Sequence, residues 1–76
     1  MKLTIGRIVI YHVGENDPPE LRSNGATELP AIVVTVFSDT YANLKIFTDG
    51  PTDVWKTSVS EGAARYCWSW PKREER

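Results

Sequence analysis

Asn43-Leu44-Lys45-Ile46-Phe47-Thr48-Asp49-Gly50-Pro51-Thr52-Asp53-Val54-Trp55 is the stretch that decides the fold. Aliphatic, β-branched and aromatic residues flank Thr48-Asp49-Gly50-Pro51 on both sides. Gly50 can take a positive φ at little cost, and proline favours turns, so this segment predicts a tight hairpin turn. Its flanks predict two strands, Asn43 to Phe47 and Thr52 to Val59. A five-stranded OB-type barrel, the main competitor, usually carries a helix between its third and fourth strands. A turn from Thr48 to Pro51 leaves no room for one.

Reading outward, Ile5 to Val13 is rich in β-branched and aromatic residues and predicts strand one. Residues 14–30 hold three prolines, two glycines and many polar groups, and predict a long loop. Loops of that length are often functional. Ala31 to Phe37 predicts strand two, with apolar residues on both faces, the pattern of a strand buried on both sides. Ser38 to Ala42 predicts a turn, and Tyr66 to Trp70 a last strand that Pro71 stops. Five short strands with a long first connection, a short second one and a tight third one match a small all-β, SH3-like barrel, whose long first loop corresponds to the RT loop. The expected organisation is one such domain over residues 1–71 with a charged, solvated tail over 72–76. Ile8, Ile10, Val34, Val36, Leu44, Ile46 and Val54 are the expected core, and Val34→Asp is expected to unfold it.

A chain of 76 residues makes a thin core, burying only roughly 60% of its unfolded surface. Cys67 is the only cysteine, so no disulfide within the chain can reinforce it, and a reducing compartment is expected. Apolar residues on both faces of strands one and two exceed what one thin core hides, which predicts a homo-oligomer formed through one of these strands. Nine Lys and Arg against ten Asp and Glu give a net charge of −1, without the basic footprint of a general nucleic-acid binder. No apolar run approaches the roughly 20 residues that span a bilayer. Met1-Lys2-Leu3-Thr4 lacks the apolar stretch of a signal peptide. A cytoplasmic protein without membrane partners is the expectation.

His12 and Cys67 are the sole residues of their types, with no orienting third group between them in the sequence, and an enzyme is not expected. The clustered spacing of zinc ligands and the Gly-rich phosphate fingerprints are absent, so neither a metal nor a cofactor is expected. Binding is the stronger expectation. In Tyr66-Cys67-Trp68-Ser69-Trp70-Pro71 two indoles share one strand face, either filling the core or making a platform for a flat ligand. A base stacked on such a ring is worth roughly 1–3 kcal/mol. Tyr11, Tyr41, Trp55 and Tyr66 add further rings, and Arg7, Arg22 and Arg65 can grip phosphates. The candidate ligand site is Arg7, Tyr11, His12, Arg22, Asn24, Asn43, Trp68 and Trp70.

Five segments carry a resemblance. They are Ile5-Gly6-Arg7-Ile8-Val9-Ile10-Tyr11, Leu29-Pro30-Ala31-Ile32-Val33-Val34, Asn43-Leu44-Lys45-Ile46-Phe47-Thr48-Asp49-Gly50, Thr57-Ser58-Val59 and Trp68-Ser69-Trp70-Pro71. In this order the chain resembles a widespread group of small proteins encoded by tailed bacteriophages and prophages. The resemblance implies a phage product acting inside a bacterium and carries no functional residues over. Small β-rich phage proteins of several families act as sponges for nucleotide immune signals. By that analogy of fold and context, the chain is expected to sequester a small anionic, nucleotide-like ligand at a subunit interface. The alternative is an SH3-like adaptor or virion-associated protein, with Glu15, Asp17, Glu20 and the aromatics gripping a peptide.

Overall fold

A computed structural model describes residues 2–72. Its strands are β1 (Ile8–His12), β2 (Glu28–Val36), β3 (Tyr41–Phe47), β4 (Asp53–Ser60) and β5 (Trp68–Ser69). They form one antiparallel sheet ordered β4-β3-β2-β1-β5. The sheet curls until its edges meet at one end. There Glu61 bridges Trp68, and the Gly62 N–H donates to the Trp68 carbonyl at 2.8 Å. This is the expected small, five-stranded all-β fold, a half-barrel of SH3-like order with its long connection after β1.

Two bulges make the curl. Pairing slips between Val33 and Thr35 in β2, and again where Ala42 and Leu44 of β3 meet β4. At the second, Ser58 takes a left-handed φ of 60°. The Asn43 side-chain carbonyl accepts the Ser58 N–H at 2.8 Å and the Thr57 hydroxyl at 2.9 Å. A bulged strand bends and twists more strongly, which rolls a flat sheet into a barrel wall.

The strand limits differ from the sequence expectation for local reasons. Gly6 turns at φ 93° and donates its N–H to Val33, so β1 begins only at Ile8. β2 begins at Glu28 and runs through Pro30. Pro30 has only β1 beside it, because pairing with β3 starts at Ala31 opposite Ile46, so its missing N–H breaks no ladder there. β5 shrinks to two residues because Tyr66 sits at φ 70°, outside strand geometry. The tail read at 72–76 lies, beyond residue 72, outside the described residues.

One face of the sheet makes the core. Val9, Tyr11 and Val13 alternate inward from β1 and the residue after it; Leu29, Ala31 and Val33 do so from β2, and Ala42, Leu44 and Ile46 from β3. Trp68 closes one side, while Leu3 and Leu21 plug the barrel from flanking segments. Leu44 and Ile46 are buried as expected, and Val36 and Val54 pack half-buried against the core. Ile8, Ile10 and Val34 do not join it. The inward set on β1, and on β2 up to the bulge after Val33, is the odd-numbered one, so these three lie on the outer face, with Ile8 exposed and the others half-buried. A one-residue phase change moves every side chain to the other face. Strands apolar on both sides gave no alternation from which to read the phase.

The long loop is not structureless. Residues Pro19–Gly25 form a 3-10 helix kinked at Ser23 and at Asn24, which takes φ 58°. Its anchor is Asp17, whose side chain is fully buried. Oδ2 accepts the Tyr11 hydroxyl at 2.8 Å and the Gly14 N–H at 2.9 Å. Oδ1 faces the Lys56 ammonium at 2.8 Å. That ammonium also lies over the rings of Tyr11 (5.8 Å) and Tyr66 (5.6 Å). Burial pushes the Asp17 carboxyl upward, but bonds from Gly14, Lys56 and Tyr11 outweigh it and hold the group below its ordinary range. Burial first, then the bond to Asp17, drives the Tyr11 hydroxyl far above its ordinary value, so it stays a proton donor.

Gly14 is required by contact. A Cβ there would stand inside the Tyr66 ring, whose hydroxyl accepts the Asn16 N–H at 2.9 Å. Gly14→Ala should therefore destabilise by about 1–3 kcal/mol, the usual scale of overpacking. In a Tyr66→Ala background the added methyl has room, and most of that penalty should vanish in denaturant titrations. Equal penalties in both backgrounds would show that the ring is not the obstacle.

Candidate functional site

The end of the β1–β2 pair and the loop anchored at Asp17 border an open hollow of about 560 Å³. It is lined by His12 to Glu15 and by Gly25 to Glu28, which the Val13 N–H joins through the Thr27 carbonyl at 2.9 Å, with Arg22, and by Ala63 and Arg65 from the β4–β5 connection. The register sets the first pair of side chains: His12 is directly opposite Glu28, with Nδ1 3.6 Å from the carboxylate. His12 Nε2 is 2.7 Å from the Ser69 hydroxyl on β5. Arg22 donates from Nε to the Asp17 carbonyl at 3.1 Å, which fixes the guanidinium at the hollow's side. Arg65 meets Glu15 at 3.5 Å, with both side chains mostly exposed. Val13, Gly14, Ala26 and Ala63 make part of the lining small and apolar.

Of the expected ligand residues, His12 and Arg22 meet here, and Arg65 joins them. The others are placed elsewhere. Tyr11 and Trp68 are fully buried core residues and present no ring face to a ligand. Burial satisfies their polar ends, with the Trp68 indole donating to the Thr40 carbonyl at 3.2 Å. Asn43 caps the β4 bulge. Asn24 donates to Asp49 at 2.7 Å and so pins the loop to the β3–β4 turn. Arg7 is exposed at the start of β1 and does not line the hollow. Trp70 packs edge-on to Trp68 at 5.2 Å and lines a second hollow of about 570 Å³ with Lys2, Asp39, Thr40 and Glu61. The expected combination of rings and arginines is thus divided between two places.

Glu28, Glu15 and Ser69 were missed as neighbours of His12 and Arg65. Glu28 was legible in principle: a hairpin register continued past Pro30 sets it opposite His12. Ser69, His12 and Glu28 follow the order of a nucleophile relay. Ser69, however, does not line the hollow. Cys67 meets His12 only through its backbone carbonyl, which accepts the His12 N–H at 2.8 Å. Among the described residues no three His, Cys, Asp or Glu side chains converge as metal ligands, and no helix is long and apolar enough to cross a membrane. Compared with protein-family models, with curated proteins and with solved structures, the chain matches none of them.

Proposed function

We propose that this protein is a non-enzymatic binder of a small anionic, nucleotide-like ligand, held beneath the long loop between Arg22 and Arg65. One observation carries this reading: Arg22, Arg65 and His12 together line a hollow of about 560 Å³, within the size range of small-molecule sites. Of the two carboxylates that line the hollow, Glu28 faces His12 and Glu15 faces Arg65. The Arg65–Glu15 pair is exposed, and such pairs are worth only about 0–1 kcal/mol. A phosphate that takes Arg65 in two parallel hydrogen bonds gives more than the exchange removes. Gly25, at φ 72° with open space where a Cβ would stand, lets a ligand approach the backbone closely. The resemblance to phage-encoded proteins supplies a setting, in which the bound molecule is a nucleotide signal withheld from the host.

Calorimetric titration with pyrophosphate, ADP-ribose and cyclic dinucleotides tests this proposal. One class should bind and be recovered unchanged. Arg22→Ala and Arg65→Ala should each weaken it by about 1.5–3 kcal/mol, the scale of a hydrogen bond to a charged group. Silence from every nucleotide, or recovery of cleaved ligand, would end this reading. A second reading, an SH3-like peptide adaptor, is favoured by Phe37 and Tyr41. These exposed rings stand 6.1 Å apart beside the β2–β3 turn, as in aromatic grooves for proline-rich segments. A proline-rich peptide titrated in the same way separates the two.

A further inference from the structure

The outer face of the sheet is apolar across four strands. In register, Ile8 stands opposite Ile32, Ile32 opposite Lys45, and Lys45 opposite Trp55. Ile10, opposite Pro30, and Phe47, opposite Asp53, continue the surface. Ile8, Phe47 and Trp55 are 47%, 41% and 56% exposed, although each is a paired strand residue. A monomer of this size has little reason to leave an indole in water, and contiguous apolar patches mark interaction sites.

We infer that this face packs on the same face of a second copy of the chain, as a two-fold dimer. Two considerations select that occupant. First, the only charges among these rows are Lys45 and Asp53, 3.8 Å apart on neighbouring strands. An isologous interface must complement itself, and a rotation about an axis between them sets each Lys45 against Asp53 of the second copy. A strongly basic or acidic partner has no such counterpart here. Second, pleated surfaces of Ile, Val and aromatic side chains pack on one another about 10 Å apart, as in β-sandwiches. His12 and Glu28 lie at the end of the same strands, so each copy's anion hollow opens at the rim of this interface.

Sedimentation equilibrium on the full chain at micromolar concentration tests the inference. The wild-type mass should be twice 8.6 kDa. Trp55→Glu should weaken association by roughly 30-fold or more, the effect of losing one aromatic hot spot, with an unchanged circular dichroism spectrum. Lys45→Glu and Asp53→Lys should each weaken it, and the double exchange should restore it. The restoration decides the matter even if Trp55→Glu fails to fold, because both charged positions are exposed. A wild-type mass of 8.6 kDa overturns the inference. So does a dimer indifferent to folded Trp55→Glu, or to either charge variant.

Discussion

A carboxylate at Val33 should unfold this protein, while the same substitution one residue on should leave it folded. Val33 is fully buried between β1 and β3, where it meets the core residue Leu44 across the ladder. An unpaired charge in that position costs several kcal/mol, against a total stability of about 5–15 kcal/mol for a domain and the lower end for one so small. Val34 is half-buried on the outer side of the bulge, so Val34→Asp can turn its carboxylate to water. The sequence-based expectation gave this role to Val34, and the structure moves it to Val33. Urea titrations with circular dichroism should find Val33→Asp unfolded without denaturant and Val34→Asp with a cooperative transition. A folded Val33→Asp would mean that the inward set on β2 is the even-numbered one after all. Val34→Asp should at the same time weaken self-association, because it adds charge to the proposed dimer face.

Those two neighbours show how far the chain could be read. The turn at Thr48–Pro51 and the β-rich flanks around it were enough for strand count and fold class, because turn position and composition do not depend on phase, although Gly50 does not take the positive φ the turn reading allowed it. Phase was legible only on β3, where Ala42, Leu44 and Ile46 alternate with Asn43, Lys45 and Phe47. On β1 and β2 both faces are apolar, and the outward Ile8, Ile10, Ile32 and Val34 looked the same in sequence as the inward Val9, Ala31 and Val33. The candidate site was half legible for a related reason. His12 and Arg22 are brought together by a loop that folds on a buried aspartate, and nothing local to Asp17 announces that Lys56 and Tyr11 will meet it. Tyr11 and Trp68 were chosen for their ring faces, which a thin core needed first. Asn24 and Asn43 have the polar edges of ligand readers, but each is occupied by a loop contact or a bulge that only tertiary structure reveals.

Replacing Asp17 should test the support of fold and hollow together. Its side chain is fully buried and holds three groups, the Tyr11 hydroxyl, the Gly14 N–H and the Lys56 ammonium. Asp17→Asn keeps the shape and removes the charge, leaving Lys56 facing a neutral amide. Breaking a buried ion pair by removing one partner costs about 3–5 kcal/mol, and the one-third exposure of Lys56 lets water recover part of it. The pH dependence has a definite sign. The folded carboxyl titrates below its unfolded value of roughly 4. The unfolded chain therefore binds the proton first, and stability rises with pH through that window. The contribution is complete above the unfolded value and disappears as pH falls through the lower folded one. Denaturation midpoints followed from neutral to strongly acid pH should fall steeply for wild type below about pH 4 and less steeply for Asp17→Asn. Parallel curves would mean that Asp17 does not carry the acid sensitivity. Because Arg22 is held by the Asp17 carbonyl, and Leu21 plugs the barrel one residue before it, loosening this turn also removes a wall of the hollow. Asp17→Asn should therefore weaken ligand binding at neutral pH even where the domain remains folded, although Asp17 does not line the hollow.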